Sequence, residues 1–368
     1  MKWPEVVELE DITIAPLVQG SSKSNLALAA DPPSPALEHF RFGRHLSEIR
    51  ILPLSNPDAA AANLVEEPTI YGGLLFHHFG HSLCESIHRL WPRFALKELH
   101  GAKIAFSLVN KTKVMPYVTE ALNLHGISRR NVIRIDEPTR FRRLYVGPQA
   151  RQMAGPTIIP GYQTMLDPQL AKYLPPPGGN RRLYISRMHH HHTGSFYGES
   201  LIEEVLADAG FEIIYPELHR LTELVTMLRS SSLAVFAEGS AIHALELCGS
   251  ATPAVCVIGR RSGAVERFTP LLSNICRKWI VTDHWLVSAG MSVDHKKHSG
   301  VVDLAAVADD LCAFADLAGG TVGHAAVMEA ITRDLEAHIG DARNGQNPDH
   351  GARAQDLRQI ILAAALAG

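Results

Sequence analysis

The chain has 368 residues, too many for one ordinary core, so two domains are expected. With 46% hydrophobic and 20% charged residues it is globular, not disordered. A net charge of −3 leaves no basic footprint for nucleic acid, and five scattered cysteines without a C-x-x-C spacing read as reduced, buried thiols of a cytosolic protein.

At the N-terminus, Met1–Glu5 lack the apolar core of a signal peptide. No window reaches 18 uncharged apolar residues, so no membrane span is expected. Val6–Val18 supply one or two short strands, and Ser21–Pro35 reads as a loop from its Ser, Asn and Pro content. Residues 48–54 alternate like a strand. Lys103–Val109, Asn131–Ile135 and Phe141–Val146 read as strands, and Met115–Leu124 as a helix ending before Gly126. Strand and helix at this spacing suggest βα units on a parallel sheet.

Between these segments lies the richest stretch, His77–Pro92, one of the clusters formed by the chain's 20 histidines. It follows the glycine-bearing run Tyr71–Phe76, which lets backbone approach a ligand closely. Leu83, Ile87, Leu90 and Trp91 form one apolar stripe, which predicts a helix of about three turns closed by Pro92. His81, Glu85 and Arg89 then share a face at successive intervals of four. Two readings stand at this point. One is a solvated i,i+4 ladder from Glu85 to Arg89. The other is a site in which His81 is a general base and Glu85 holds its tautomer. Arg89 and His77 then meet an acceptor, and His78 is the reserve base.

Pro175–Gly179 is the clearest linker, stiffened by three prolines and released by two glycines. Strands follow at Arg182–Ser186, Phe211–Tyr215, Leu233–Ala237 and Ala254–Ile258. Helices alternate with them at Glu199–Ala209, Leu221–Ser230 and from the 238–241 turn through Leu247. This predicts a doubly wound sheet that binds ligands beyond its strand ends. Arg187, just past a strand, is placed to grip a phosphate or to lie solvated at a strand end. The turn Glu238–Gly239–Ser240–Ala241 turns helix-start amides toward the same crevice. His189–His192 reads as a flexible polar loop, because four consecutive histidines cannot all ligate one metal. Residues 284–300 read as a loop. Val301–Leu317 and Ala325–Ile339 read as helices, Asp341–Gln355 as a mobile segment and Leu357–Leu366 as a short terminal helix.

Three blocks in this order resemble the family 61 glycosyltransferases, often described as capsular polysaccharide biosynthesis proteins of bacteria. They are His81-x-x-x-Glu85-x-x-x-Arg89-Leu90, then Leu183–Arg187 running on to Glu199 and Gly210–Glu212, then Glu238-Gly239-Ser240-Ala241-x-His243. The family usually carries further arginines after its Ser-Arg and an Asn-Glu pair. Here the histidine run stands in place of those arginines, and Gly198 precedes Glu199.

The resemblance implies a GT-B-like α/β fold, two Rossmann-like domains facing a cleft. The expected domains are residues 1–175 on the acceptor side, 176–320 for the nucleotide sugar, and a helical tail over 321–368. It implies inverting, metal-independent transfer from a nucleotide sugar to a glycan or other hydroxyl acceptor, in surface polysaccharide synthesis. The location is cytoplasmic or peripheral at the inner membrane, and no cofactor is expected. Arg187, Glu238, Gly239, Ser240, Ala241 and His243 would bind the donor, with Glu238 on ribose or sugar hydroxyls. No metal is expected, because no Asp-x-Asp or His/Cys ligand set appears. Two rivals remain: a non-catalytic subunit of a polysaccharide assembly, and a His-rich metal-dependent hydrolase.

Overall fold

A computed structural model describes residues 3–19, 26–40, 50–54, 63–109, 114–152, 155, 159–317, 322–341 and 349–367. The chain divides into two compact units. The first is Met1–Pro176 with His243–Ser250, and the second is Pro177–Ile242 with Ala251–Gly368.

The first unit is built on a nine-stranded sheet. Its strands are β1 (Val7–Ile14), β2 (Val18–Gln19), β3 (Leu26–Asp31), β4 (Arg50–Pro53), β5 (Leu64–Val65), β6 (Thr69–Leu75), β7 (Lys103–Leu108), β8 (Val132–Ile135) and β9 (Thr139–Val146). The main order is β2-β3-β1-β9-β6-β7-β8, with β4 on β3 and β5 on β9. All seven residues of β6 are buried, as a strand covered on both faces must be. β6 runs parallel to β7 and β9, and β7 parallel to β8.

The expected all-parallel pattern is corrected at the N-terminal side. There β1 lies antiparallel to β9 and β3, and β2 antiparallel to β3. β3 falls where a loop was expected: Leu26, Leu28 and Ala30 alternate inward, and this outweighs the loop-forming neighbours. Residues 21–25 of that expected loop, and 48–49 of the expected strand, lie outside the described residues. Gly73, at φ 85°, takes a conformation few other residues adopt and marks a bulge in β6. Ile12, Ile14, Leu28, Tyr71, Leu74, Phe76, Phe141 and Leu144 form the core on this sheet.

The three-turn helix over 77–92 is also corrected. Helix α1 covers only Phe79–Cys84, and Glu85 leaves helical geometry at φ −134°, ψ −49°. Beyond it, Ile87 O accepts from the Tyr162 hydroxyl at 3.2 Å and from Leu90 N–H at 3.3 Å, and His88 O accepts from Ala150 N–H at 2.8 Å. Pro92 opens the next helix, α2 (Pro92–Ala95), instead of closing this one. Helices α3 (Pro116–Leu124) and α4 (Tyr162–Leu170) complete the unit.

The second unit holds a five-stranded sheet of β10 (Arg181–Ile185), β11 (Glu212–Ile214), β12 (Ser231–Ala237), β13 (Ala254–Ile258) and β14 (Trp279–Thr282). Every pair is parallel, in the order β11-β10-β12-β13-β14. The chain steps outward from β10 to β11 and then returns to place β12 on the other side. The reversal therefore lies between β10 and β12. Helices α5 (Glu199–Asp208), α6 (Leu221–Arg229) and α7 (Ala264–Ile275) connect the strands.

Residues 284–300 are not a loop: β15 (Trp285–Ala289) pairs antiparallel with β16 (Ser299–Val302). The next helix, α8 (Leu304–Ala315), therefore starts later than Val301, where the Asp303 carboxylate accepts from Ala306 N–H at 3.0 Å. Helices α9 (His324–Gly340) and α10 (His350–Ala367) pack Ile331, Leu335, Leu357 and Ile361 into the core shared with β10, β12 and α5. α10 begins inside the segment expected to be mobile, and residues 342–348 of that segment lie outside the described residues. No helix among the described residues is long and apolar enough to cross a membrane.

Candidate active site

In the first unit, α1 carries His81 in its third position and delivers Glu85 one turn later. His81 Nδ1 lies 2.7 Å from Glu85 Oε1, and His39 Nε2 lies 3.3 Å from Glu85 Oε2. The Glu85 side chain is fully buried, whereas that of His81 is 24% exposed. An ionised Glu85 can only accept, so a neutral His81 beside it would carry its proton on Nδ1 and its lone pair on Nε2. That is the tautomer of a general base held by an acidic partner. The His78 ring stands 5.2 Å from that of His81, and Phe76 backs His81 at 5.4 Å. His77 and His78 are exposed, and the His77 carbonyl accepts from the Tyr117 hydroxyl.

Arg89 does not serve as the acceptor contact expected of it. It is buried, with Nη1 donating to Ala36 O at 3.1 Å and Gly147 O at 3.0 Å, and Nη2 donating to Glu38 O. Its guanidinium therefore anchors the segment that carries His39. The spacing made it look like a third member of a helical face, but the chain has left the helix before it. His243 falls in this first unit, although it continues the 3-10 segment that Ser240 and Ala241 open. Burial, followed by the charges of His81 and Arg151 against that of Glu85, pushes its imidazole down to about 3, so it is neutral.

His81, Cys84 and Glu85 bring ligand atoms within 4.8 Å of one another, a mixed grouping with neither an Asp-x-Asp nor a Cys/His spacing. In the present geometry His81 Nδ1 and both Glu85 oxygens are taken by contacts among His81, Glu85 and His39.

Behind this pair lies a buried polar set that sequence reasoning missed. Arg151 Nη1 is 3.1 Å from Glu246 Oε2, and His88 Nε2 is 3.7 Å from it. The Arg151–Glu246 contact has ion-pair distance without hydrogen-bond alignment, because both atoms lack a directed partner. Burial pushes the Glu246 carboxyl up to about 7, and Arg151 offsets only part of this. The folded state therefore keeps a proton that the unfolded chain releases near the ordinary glutamate value. Stability is greatest below that value and falls as pH rises toward about 7. Glu246→Gln should remove about 1–2 kcal/mol of this fall. Urea unfolding at pH 5 and pH 7.5 reads it, and an unchanged difference between the two midpoints would show that Glu246 does not titrate there.

In the second unit, Arg187 follows β10. Its backbone N–H donates to Glu199 Oε1 at 2.6 Å, and Glu199 also accepts from Tyr184 at 2.9 Å and Ser186 at 3.2 Å. Arg187 Nε and Nη2 both donate to Gly194 O, at 3.0 and 2.9 Å. The guanidinium lies against Gly239, where a Cβ would come within 2.5 Å of Nη1, so only glycine permits this approach. The structure thus brings Arg187 and Gly239 together at the strand-order reversal.

Glu238 is committed to arginines, not to the hydroxyls expected of it. Its Oε1 accepts from Arg261 Nε at 3.0 Å, Arg261 Nη2 at 2.6 Å and Arg267 Nη1 at 2.7 Å. Its Oε2 accepts from Arg260 N–H at 2.9 Å, and Arg260 Nε donates to Glu238 O at 3.1 Å. Burial alone would raise this carboxyl, but Arg261, Arg260 and Arg267 outweigh it and hold it below the usual range. Ser240 and Ala241 open a 3-10 segment, Ser240–Leu247, in place of the expected helix. The histidine run is ordered too. His189 and His190 meet Glu217 at 2.7 and 3.2 Å, and His191 stacks on Tyr197 and His338. Arg260 and Arg261 stand just past β13, as Arg187 does past β10, and the same strand-end rule would have found them. No comparable signal pointed to His39, Arg151 or Glu246.

The chain is thus an α/β protein with arginines gathered at the strand-order reversal of a parallel sheet and, separately, an imidazole–carboxylate pair. Residues 79–255 match the family model Glycosyltransferase 61, from the first residue of α1 into β13. No curated protein matches the chain. The family match indicates a glycosyltransferase, and with it a nucleotide-sugar donor and a glycan acceptor.

Proposed function

We propose that the protein is an inverting, metal-independent glycosyltransferase of the GT-B kind, acting in the cytoplasm in the synthesis of a bacterial surface polysaccharide. The observation that carries this reading is the His81–Glu85 pair, 2.7 Å apart inside the family-matched segment, the arrangement of a base beside the carboxylate that orients it. His81 Nε2 takes the proton of the acceptor hydroxyl, and the oxygen attacks the anomeric carbon. The bond to the diphosphate breaks, and the nucleoside diphosphate leaves with the electron pair. Arg187 and the amides of Gly239, Ser240 and Ala241 stabilise that leaving charge. Arginines supply the positive charge a metal would otherwise bring, which supports metal independence.

The test measures nucleoside diphosphate release from a panel of nucleotide sugars, and the thermal transition with each nucleoside diphosphate, with and without a chelator. A raised transition and chelator-resistant release are expected. If no nucleotide moves the transition and none is turned over, the chain is a non-catalytic partner subunit. A metal-dependent mechanism is the second reading, favoured by the His81–Cys84–Glu85 grouping. Activity lost on chelation and restored by Mn²⁺ or Zn²⁺ would establish it.

A further inference from the structure

The geometry points to Arg261 and Arg267 as two further ligands of the donor diphosphate, with Glu238 as the buried anion that orients them before the donor arrives; this rests on the second unit being the donor site.

The layering carries the argument. The Glu238 side chain is 0% exposed, whereas those of Arg261 and Arg267 are 33% and 35% exposed. The carboxylate therefore lies beneath and the cations lie outside. Arg261 donates to it through Nε and Nη2, and Arg267 through Nη1. A guanidinium has five N–H groups in a fixed fork, so each arginine can hold Glu238 and still offer donors outward. An anion docking there need not displace the carboxylate.

Charge and position agree with this. Arg187, Arg260, Arg261 and Arg267 gather around one carboxylate, which leaves an excess of positive charge. Glu199, the other buried carboxyl near Arg187, is pushed up to about 7 by burial and offsets only part of it. The four arginines lie just after β10 and β13 and on α7, and Glu238 just after β12, so they border the strand-order reversal where such sheets take nucleotides. A diphosphate presents paired oxygens that suit forked donors. Long side chains already fixed by Glu238 lose less freedom on binding.

Calorimetric titration of uridine, guanosine and cytidine diphosphates, each beside its own nucleoside, tests this. The proteins are the unchanged chain, Arg261→Ala, Arg267→Ala and the control Arg181→Ala. Arg181 is 35% exposed and paired with Glu212, at the start of β10 and so at the other end of the strands. For whichever diphosphate binds, Arg261→Ala and Arg267→Ala should each weaken it about tenfold, with nucleoside binding and the Arg181→Ala control unchanged. Where an alanine variant does not fold, the lysine variant replaces it. Lysine keeps the charge but not the fork, and a several-fold loss is then expected. Diphosphate affinity no lower than in Arg181→Ala, while Arg187→Ala still weakens it, would overturn this inference and leave the donor site standing. No diphosphate binding by the unchanged protein would overturn the donor site itself.

Discussion

His81→Ala should lower turnover by about 10²–10⁴, the range a lost general base produces, and leave the unfolding transition nearly in place. The His81 side chain is 24% exposed, so its removal opens no closed cavity in the core. Glu85→Gln should cost less, because an amide oxygen can still accept from Nδ1–H and keep the tautomer. Steady-state release of nucleoside diphosphate, measured beside thermal unfolding of each variant, decides between roles. Residual activity that merely tracks the folded fraction would make His81 a packing residue. Full activity in His81→Ala with loss in His78→Ala would move the base to His78, whose ring stands 5.2 Å away.

Arg187→Ala should weaken nucleoside diphosphate binding by about 1.5–3 kcal/mol, the scale of a hydrogen bond to a charged group. The loss should be far smaller for the bare nucleoside. The side chain is well placed for this because it is fixed at both ends. Glu199 holds its backbone N–H, and Gly194 O holds two of its guanidinium nitrogens. Its third nitrogen lies against Gly239. Removing a pre-positioned donor loses both the contact and the order already built into it. Equal losses for nucleoside and diphosphate in calorimetric titration would place Arg187 away from the phosphates.

The short-range features of the chain were legible in its sequence. Strand–helix alternation from Arg182 to Ile258 specifies a parallel sheet because buried parallel strands read as continuous apolar runs. Arg187 and Gly239 were legible because an arginine and a glycine turn directly follow such runs. The His81–Glu85 contact was legible because it closes within one helical turn.

What tertiary structure alone decided involves pairings across long separations. His39 reaches Glu85 from 46 residues away. Past the break after α1, Tyr162 and Ala150, far along the chain, donate to the carbonyls of Ile87 and His88. The same break turns Arg89 from a face partner of Glu85 into an anchor for the His39 segment. Glu238 reads locally as an isolated acid in a glycine turn. Only the docking of β13 and α7 surrounds it with Arg260, Arg261 and Arg267. Periodicity and turn chemistry are written in neighbouring residues, whereas the partner of a buried charge is set by which distant segments the sheet brings side by side.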